Sequence, residues 1–410
     1  MGKQVLIVGA GASGMTAAVH AARAGADVTI LEHKDRAGKK ILCTGNGRCN
    51  LTNEKQEPRC YRCGSAGFAE GILEQFTVED TLAFFRGLGI FTKDRNGYIY
   101  PHSDQAASVL QAFLQELDRL PVTARYQCRI QQIAKDKGGF AVVSDKGVYK
   151  GEALILAAGS KAAPVTGSDG SGYELAAGFG HRIVTPLPAL VQLRCAEKHY
   201  RKLAGVRSDG EIKLYVDGKL AAWDRGELQL TDYGISGIPT FQVSRYASVA
   251  LHRRQKVTAV IDFLPSLTVE EARDMIRERL KAMAGRTCIQ FMNGLLNSKL
   301  SEVLLEVAGI PGQRAVRSLT EGEKKRLFQA ITAYETRVTA SNPYENAQVC
   351  CGGVDVKQVD KRTLESKLVK GLYFCGEILD VDGICGGYNL QWAWSSGAVA
   401  GKSAACSKGR

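Results

Sequence analysis

The first forty residues carry the clearest periodicity in the chain. Positions 4–8 form a short, mostly apolar run, glycines follow at 9, 11 and 14, and an alanine-rich stretch with helical spacing reaches Ala24 and stops at Gly25. Residues 28–31 are apolar again, and Glu32 comes directly after. The pattern predicts strand, glycine turn, helix, strand and acid within about thirty residues, the length a right-handed βαβ crossover needs. Farther on, Leu82, Phe85 and Leu88, then Ala107, Leu110, Leu114 and Leu117, fall at helical intervals over 77–89 and 104–120. Two strand-like runs, 127–134 and 139–144, flank the hairpin signal Gly138-Gly139. Residues 153–156 are a continuous apolar run ending in Ala157, Ala158 and Gly159, the texture of a buried strand meeting a ligand.

From about His181 to Pro265 the texture changes to short strands separated by turn pairs such as Asp209-Gly210 and Asp217-Gly218, which predicts an antiparallel sheet or barrel. Thr268 and Glu271 form a capping box ahead of an apolar stripe at Ala272, Met275, Ile276, Leu280 and Met283. A second helix is predicted over 298–308, and a third, boxed by Thr320 and Glu323, runs to about Tyr334. Val338 onward returns to glycine-rich strands, and 372–375 is a last buried strand ending in Gly376 and Glu377. The chain is therefore expected to leave its first domain and come back. An α/β dinucleotide-binding domain would cover 1–185 and 338–410, an antiparallel β-rich domain 186–265, and a small helical domain 266–337.

Gly9-Ala10-Gly11-Ala12-Ser13-Gly14 is weak alone and strong here, because it follows a strand, opens a helix and has Glu32 about twenty residues on. Gly9 permits the tight turn, Gly11 lets the backbone approach a pyrophosphate, and Gly14 lets the helix pack on the sheet. The amides of Ala12 and Ser13 at the helix start would hold phosphates, and Glu32 would accept from the ribose hydroxyls of an adenosine. The fingerprint serves NAD and FAD alike. Several distant segments also end in glycine as though lining one long ligand: 45–50 (Gly45, Asn46, Gly47, Arg48, Cys49, Asn50), 157–159, 376–377 and 386–391. A resident FAD fits that distribution better than a soluble NAD. No second glycine fingerprint follows a clear strand, so a nicotinamide coenzyme is expected to dock transiently.

The segments 44–53 (TGNGRCNLTN), 371–382 (GLYFCGEILDVD) and 386–392 (GGYNLQW), with 231–237 (TDYGISG) in the inserted part, resemble the signatures of a bacterial flavoprotein family. These are the FAD-dependent, NAD(P)-linked oxidoreductases of the BaiN or aminoacetone-oxidase type, and the resemblance covers nearly the whole chain. It implies a glutathione-reductase-like Rossmann FAD domain interrupted by a β-rich, barrel-like domain and a small helical domain. It also implies that Glu32 and His33 lie by the adenosine, that Lys39, Lys40 and the loop from Thr44 to the end of 45–50 run along the cofactor, and that Ile130 lies by the adenine. Ala158 and Gly159 would lie by the dinucleotide, and Asp380 with Gly387, Tyr388, Asn389 and Leu390 by the ribityl chain and flavin. A helix beginning at Tyr388 would set partial positive charge beside the flavin pyrimidine. Two positions depart from the family pattern: Ile384-Cys385 stand where many relatives carry Asp-Thr, and Asp232-Tyr233 where many carry His-Phe. Both are expected to face the substrate, so the substrate of a relative does not transfer by resemblance.

Composition narrows the class. With 410 residues, 45% hydrophobic and 23% charged, the chain is globular with room for two or three domains. No run approaches the ~20 uninterrupted apolar residues of a membrane-spanning helix. With no export signal read, the 12 cysteines are expected to be reduced thiols in a cytoplasm. Cys60 and Cys63 have C-x-x-C spacing but no second ligand pair, so no metal is expected. Cys350 and Cys351 read as buried side chains leading into Gly352 and Gly353. The excess of 54 Lys and Arg over 42 Asp and Glu, +12, is interspersed with acids and reads as a solvated face, with neither nucleic acid nor membrane expected as a partner. The leading expectation is an FAD-dependent oxidoreductase that uses NAD(P)H to reduce a small, mostly apolar, enone-like molecule held between the FAD domain and the inserted domains. Hydride delivery to an activated double bond needs a proton donor, for which Tyr388 and Tyr233 are the candidates, with Cys385 a candidate flavin contact. The alternatives are an FAD-dependent amine oxidase that reduces oxygen, an RNA-linked flavoprotein resembling tRNA-uridine modifying enzymes, and a flavin-binding scaffold without turnover.

Overall fold

The continuous apolar runs of the sequence become strands buried on both faces, as a parallel sheet requires. The structure is a computed structural model that describes residues 2–407. The chain divides into two units, Met1–Leu187 with Val349–Arg410, and Pro188–Gln348. In the first, five strands pair in the order Leu372–Phe374, Ala153–Leu156, Gln4–Val8, Asp27–Leu31, Val122–Arg125, all parallel. Val8 lies opposite both Leu31 and Leu156, and Leu156 opposite Phe374, so four strands end level. The segments that follow them, starting at Gly9, Glu32, Ala157 and Cys375, therefore share one edge of the sheet. In open α/β sheets that carboxyl edge is where ligands bind.

Helix Ala12–Arg23 packs against helix Tyr388–Cys406 through small residues. A Cβ added at Gly397 would lie 2.5 Å from the Ser13 carbonyl oxygen, and one at Gly401 2.3 Å from that of Ala17. On another side of the first helix, His20 is stacked on Phe84 at 5.2 Å and edge-on to Phe76 at 5.3 Å. Burial pushes its pKa down to about 3, with Lys402 and Arg23 adding to the shift. The helices expected over 77–89 and 104–120 are Val78–Gly87 and Ala106–Arg119. The strand expected from 127 starts only at Ile130. Gln127 and Cys128 instead donate their N–H groups to the Lys34 and Glu32 carbonyls, and Gln127 sits in the left-handed region.

The second unit is a closed six-stranded barrel in the order Leu193–Cys195, Gly234–Gly237, Lys219–Leu230, Arg207–Val216, Val257–Asp262, Tyr334–Ser341. Ile212, Leu214, Leu228, Leu230, Val257, Ala259 and Ile261 alternate with less buried, mostly half-buried neighbours and fill its interior. The last strand corrects the sequence reading, which returned the chain to the first domain at 338. Tyr334–Ser341 pairs with Val257–Asp262 and closes on Leu193–Cys195, and Tyr334 and Val338 belong to the barrel core. The stretch read as all strands also holds a 15-residue helix, Ile238–His252. Helices Val269–Ala282, Cys288–Met292, Ser298–Val307 and Glu321–Thr332 bury Ile276, Phe291, Leu304 and Ile331 in the same core as the barrel. Among the described residues, no helix is long and apolar enough to cross a membrane.

Candidate functional site

The glycine turn separates into positions the protein needs and one it does not. Gly9 leaves the central strand at φ 104, and a Cβ there would lie 2.5 Å from the Ala157 carbonyl oxygen. A Cβ at Gly14 would lie 2.0 Å from the Gly9 carbonyl oxygen, whereas one at Gly11 meets nothing within 4 Å. Helix Ala12–Arg23 starts at Gly11 without a side-chain cap, so its first N–H groups face that open space. Glu32 is buried; its Oε2 accepts from the Ala10 N–H and its Oε1 from the Lys34 N–H, both at 2.8 Å. Each oxygen keeps a second lone pair. His33 joins Glu32, 3.3 Å from Nδ1, to Asp169, 3.7 Å from Nε2. Ile130 begins its strand two residues after Cys128, whose N–H donates to the Glu32 carbonyl at 2.9 Å.

Along the same edge, Ala158 and Gly159 follow Ala157, whose N–H donates to the Val8 carbonyl at 2.9 Å. Gly376 stands against the first helix: a Cβ there would lie 2.3 Å from Ser13 Oγ, and its N–H donates to Ser396 Oγ at 2.9 Å. Two predicted cations turn out to be neutralised locally. Lys40 Nζ lies 2.7 Å from Glu377 Oε2, which also accepts from Ser160 Oγ at 3.0 Å, and Lys39 pairs with Asp35 at 2.7 Å. Ser160, which sequence reading missed, thus helps to tie the Lys40 segment to the Gly376–Ile378 turn. Asp380 is buried, and its Oδ1 accepts from the Gly352 N–H at 3.1 Å.

The loop after Thr44 holds four left-handed residues, Gly45 (φ 55), Asn46 (φ 53), Gly47 (φ 81) and Cys49 (φ 59). Asn46 and Cys49 carry side chains, and such conformations cost of order 1–3 kcal/mol each and cluster at ligand sites. The Cys49 thiol is buried and pushed up to about 12 by desolvation, so it packs as a neutral group. Arg48 stands 5.6 Å from the centre of the Tyr100 ring. Asn50 is buried with its Oδ1 unpartnered, and a Cβ at Gly387 would lie 3.0 Å from that oxygen. Helix Tyr388–Cys406 starts at Gly387 without a side-chain cap. An orphan acceptor beside a bare helix start marks a recess that a polar ligand completes. Asn389 is engaged by the chain itself, with its Oδ1 accepting from the Gly383 N–H at 2.8 Å and its Nδ2 donating to the Gly383 carbonyl at 3.0 Å. Leu390 is half-buried behind it. Asn53, also missed from sequence, donates from Nδ2 to the Gly386 carbonyl at 3.2 Å.

Tyr388 is buried edge-on to Tyr61 at 5.9 Å, and the Tyr61 hydroxyl lies 3.3 Å from the Tyr388 carbonyl oxygen. Burial holds the Tyr388 phenol well above the usual tyrosine range, and the neighbouring Cys60 thiol, hydrogen-bonded to it, adds to the shift. Cys385 is half-buried three residues before it. Tyr233 belongs to the other unit, where its hydroxyl accepts from Asn342 Nδ2 at 3.0 Å and the Arg194 guanidinium stands 5.0 Å over its ring. A cavity of about 650 Å³ in the second unit, lined by Ser208, Asp209, Arg225, Phe263 and Leu295 among others, contains none of the candidate catalytic or cofactor residues picked out from sequence. Among the described residues, no group of three His, Cys, Asp or Glu side chains converges as a metal site.

Residues 3–403 match the family described as HI0933-like protein Rossmann domain. The chain is 44% identical over 401 residues to the 3-dehydro-bile acid delta(4,6)-reductase of Clostridium scindens, covering 97% of this chain and 98% of that one. It is 29% identical over 395 residues to the ribosomal RNA dihydrouridine synthase of Escherichia coli, covering 95% of each. Among solved structures, an open-form flavocytochrome c3 fumarate reductase aligns at 16% identity and a TM-score of 0.48, over 98% of this chain and 78% of that one. The chain belongs to the HI0933-like Rossmann family and is an FAD-dependent oxidoreductase.

Proposed function

We propose that the chain uses NAD(P)H to reduce, through FAD, a carbon–carbon double bond conjugated to a carbonyl in a small, mostly apolar molecule. The observation that carries this reading is the likeness, over 97% of the chain, to a delta(4,6)-reductase of 3-dehydro-bile acids. Ala12 and Ser13, whose amides face the open space at Gly11, would hold the diphosphate of FAD, Glu32, His33 and Ile130 would hold its adenosine, and Asn50 with the start of the helix at Tyr388 would hold its flavin end. Bound there, FAD supplies a two-electron hydride relay between coenzyme and acceptor. An acceptor of this kind takes hydride at its β-carbon and needs a proton at its α-carbon. Tyr388, held protonated by burial, is the proton source, and the helix start favours negative charge beside it. Anaerobic absorbance of the FAD-loaded protein tests the reading: one of NADH and NADPH should bleach the flavin band, and an unsaturated ketone should restore it. In Tyr388→Phe the restoring half-reaction should slow by at least about tenfold, with bleaching unchanged. A flavin that neither coenzyme bleaches removes NAD(P)H, and equal slowing of both halves removes Tyr388.

A second reading is reduction of a uracil base in RNA, favoured by the relative of that activity in Escherichia coli and by the net charge of +12. The uracil ring also holds a double bond conjugated to a carbonyl, so the same residues would serve. Nucleoside analysis of ribosomal RNA from cells with and without the protein separates the two. Dihydrouridine that disappears with the protein would move the substrate from a free ketone to RNA.

A further inference from the structure

The hairpin of Thr92–Arg95 and Tyr98–Pro101 borders this site and has no part in the function proposed above. Tyr98–Pro101 pairs with Thr52–Asn53, Asn53 holds the Gly386 carbonyl, and a Cβ at Gly386 would lie 2.8 Å from the Tyr98 ring. Side chains alternate between faces along a strand. Tyr98, Tyr100 and His102 therefore share one face, while Ile99 and Pro101 are buried on the other. Arg95 lies opposite Tyr98 and Lys93 opposite Tyr100, and Phe91 meets His102 with ring centres 5.4 Å apart. The outer face is thus a ladder of cations and aromatic rings. Phe91 is 75% exposed and Tyr98 38%. The guanidiniums of Arg48 and Arg95 each stand 5.6 Å from the centre of the Tyr100 ring. Lys93 and Arg95 share one carboxylate, Asp104, which is 2.7 Å from Arg95, so with Arg48 three cations face one acid.

Cations bind phosphates, and exposed aromatic faces bind flat bases. The ladder starts at Gly386, beside the proposed flavin end, and runs outward for roughly 13 Å, four residues at ~3.3 Å each. A ligand laid along it would have one ring at the redox site, phosphates at mid-length and a second base at the outer end. We infer that this face is the docking track of the nicotinamide coenzyme. The nicotinamide points toward Gly386, the diphosphate lies over Arg95 and Lys93, and the adenine stacks against Phe91 and His102. The inference rests on the NAD(P)H reading above.

The test is anaerobic stopped-flow reduction of the FAD-loaded full chain over a range of NADH and NADPH concentrations, in the wild type and in a Phe91→Ala, Arg95→Ala double variant. Both side chains are exposed, so the fold should not be at stake. The variant should raise the apparent Kd for the coenzyme about tenfold or more, with the limiting rate and the rate of reduction by dithionite within about twofold of wild type. Raised salt should weaken coenzyme binding more in the wild type than in the variant, and Phe91→Tyr alone should keep wild-type affinity. A wild type that is reduced normally and a variant with the same Kd overturn the track and leave the NAD(P)H reading standing. A wild type that neither coenzyme reduces overturns both. A variant that loses retention of single-stranded RNA while its coenzyme Kd is unchanged overturns the track in favour of nucleic acid.

Discussion

The helices of the segment 268–332 and the paired helices Ala12–Arg23 and Tyr388–Cys406 are finished in opposite ways. Val269–Ala282, Cys288–Met292 and Glu321–Thr332 each open on a capping box, Thr268 with Glu271, Thr287 with Gln290 and Thr320 with Glu323. Ser298–Val307 opens on Asn297, whose side chain accepts from the Lys299 N–H. Ala12–Arg23 and Tyr388–Cys406 open on Gly11 and Gly387 with no side-chain cap. The first N–H groups of any helix need partners. Where the chain supplies them the helix end is complete, and where it withholds them beside open space or an orphan acceptor the partner comes from outside. Helix Ile238–His252 shows why the second condition matters. It also lacks a side-chain cap, and protein closes on it as it does on Gly387, with the Glu227 carbonyl oxygen 2.5 Å from a Cβ at Gly237 and Thr52 2.6 Å from one at Gly387; what singles out Gly387 is the unpartnered Asn50 Oδ1 beside it.

The strongest way to break this contrast is Gly11→Asp. The new Cβ meets no protein atom within 4 Å, and the carboxylate beyond it can cap its own helix and occupy the place where the diphosphate is proposed to lie. FAD affinity should fall by at least about a hundredfold, the loss of two charge-assisted hydrogen bonds at ~1.5–3 kcal/mol each. The melting temperature of the flavin-free protein should hold or rise slightly. A variant that still copurifies with one FAD would refute the ligand end. Gly401→Val is the converse, because its Cβ would press on the Ala17 backbone from inside the protein. It should cost roughly 1–3 kcal/mol or more of stability in the flavin-free form, read by denaturant unfolding. An unchanged midpoint would show that the two helices separate easily.

Gly9 and Gly14 were legible because close backbone contacts leave no substitute and they fall in a recognisable spacing, whereas Gly397 and Gly401, just as constrained, carry no such spacing and went unread. Side-chain ties were not legible. Lys40 and Glu377 are 337 positions apart, and nothing local in either segment announces the pair or the Ser160 hydroxyl that joins it. Ile238–His252 was hidden for a different reason. Its buried stripe is Val243, Ala247 and Ala250 with Ser244 and Ser248 among them, too small and too polar to stand out within a run of strands. Tyr334–Ser341 was misassigned because its alternation gives a strand but not the sheet it joins, and only the pairing with Val257–Asp262 decides that. The barrel itself was foreseen from its turn pairs, since a closed antiparallel sheet repeats a local signal.

His20 sharpens the contrast on the first helix at a place away from any ligand. Its folded-state pKa of about 3 lies below the ordinary 6.5, so the unfolded chain binds a proton that the folded chain refuses between those values. The stability it confers is complete above about 6.5 and is lost as pH falls toward 3, at about 1.4 kcal/mol per pH unit. His20→Phe, between Phe76 and Phe84, should flatten that part of the pH–stability curve by about one proton. An unchanged slope would mean that the acid sensitivity lies elsewhere.

The smallest expected effect completes the comparison from the capped side. Thr320 Oγ1 accepts from the Glu323 N–H at 3.3 Å, while Glu323 Oε2 accepts from the Thr320 N–H at 2.8 Å and its other oxygen binds Arg314. The Thr320 backbone N–H, with Arg314 next, holds the Glu323 carboxyl down at about 2 from the ordinary 4.5. Its contribution is therefore whole above 4.5 and disappears as pH falls through about 2, the opposite end of the scale from a group that gains by protonation. Thr320→Ala removes the acceptor for the Glu323 N–H and should cost about 1 kcal/mol, with FAD affinity untouched because this helix end already has its partners. If the same substitution also released flavin, a cap internal to the protein would be acting on a ligand, and the division between self-capped and ligand-capped helices would not hold.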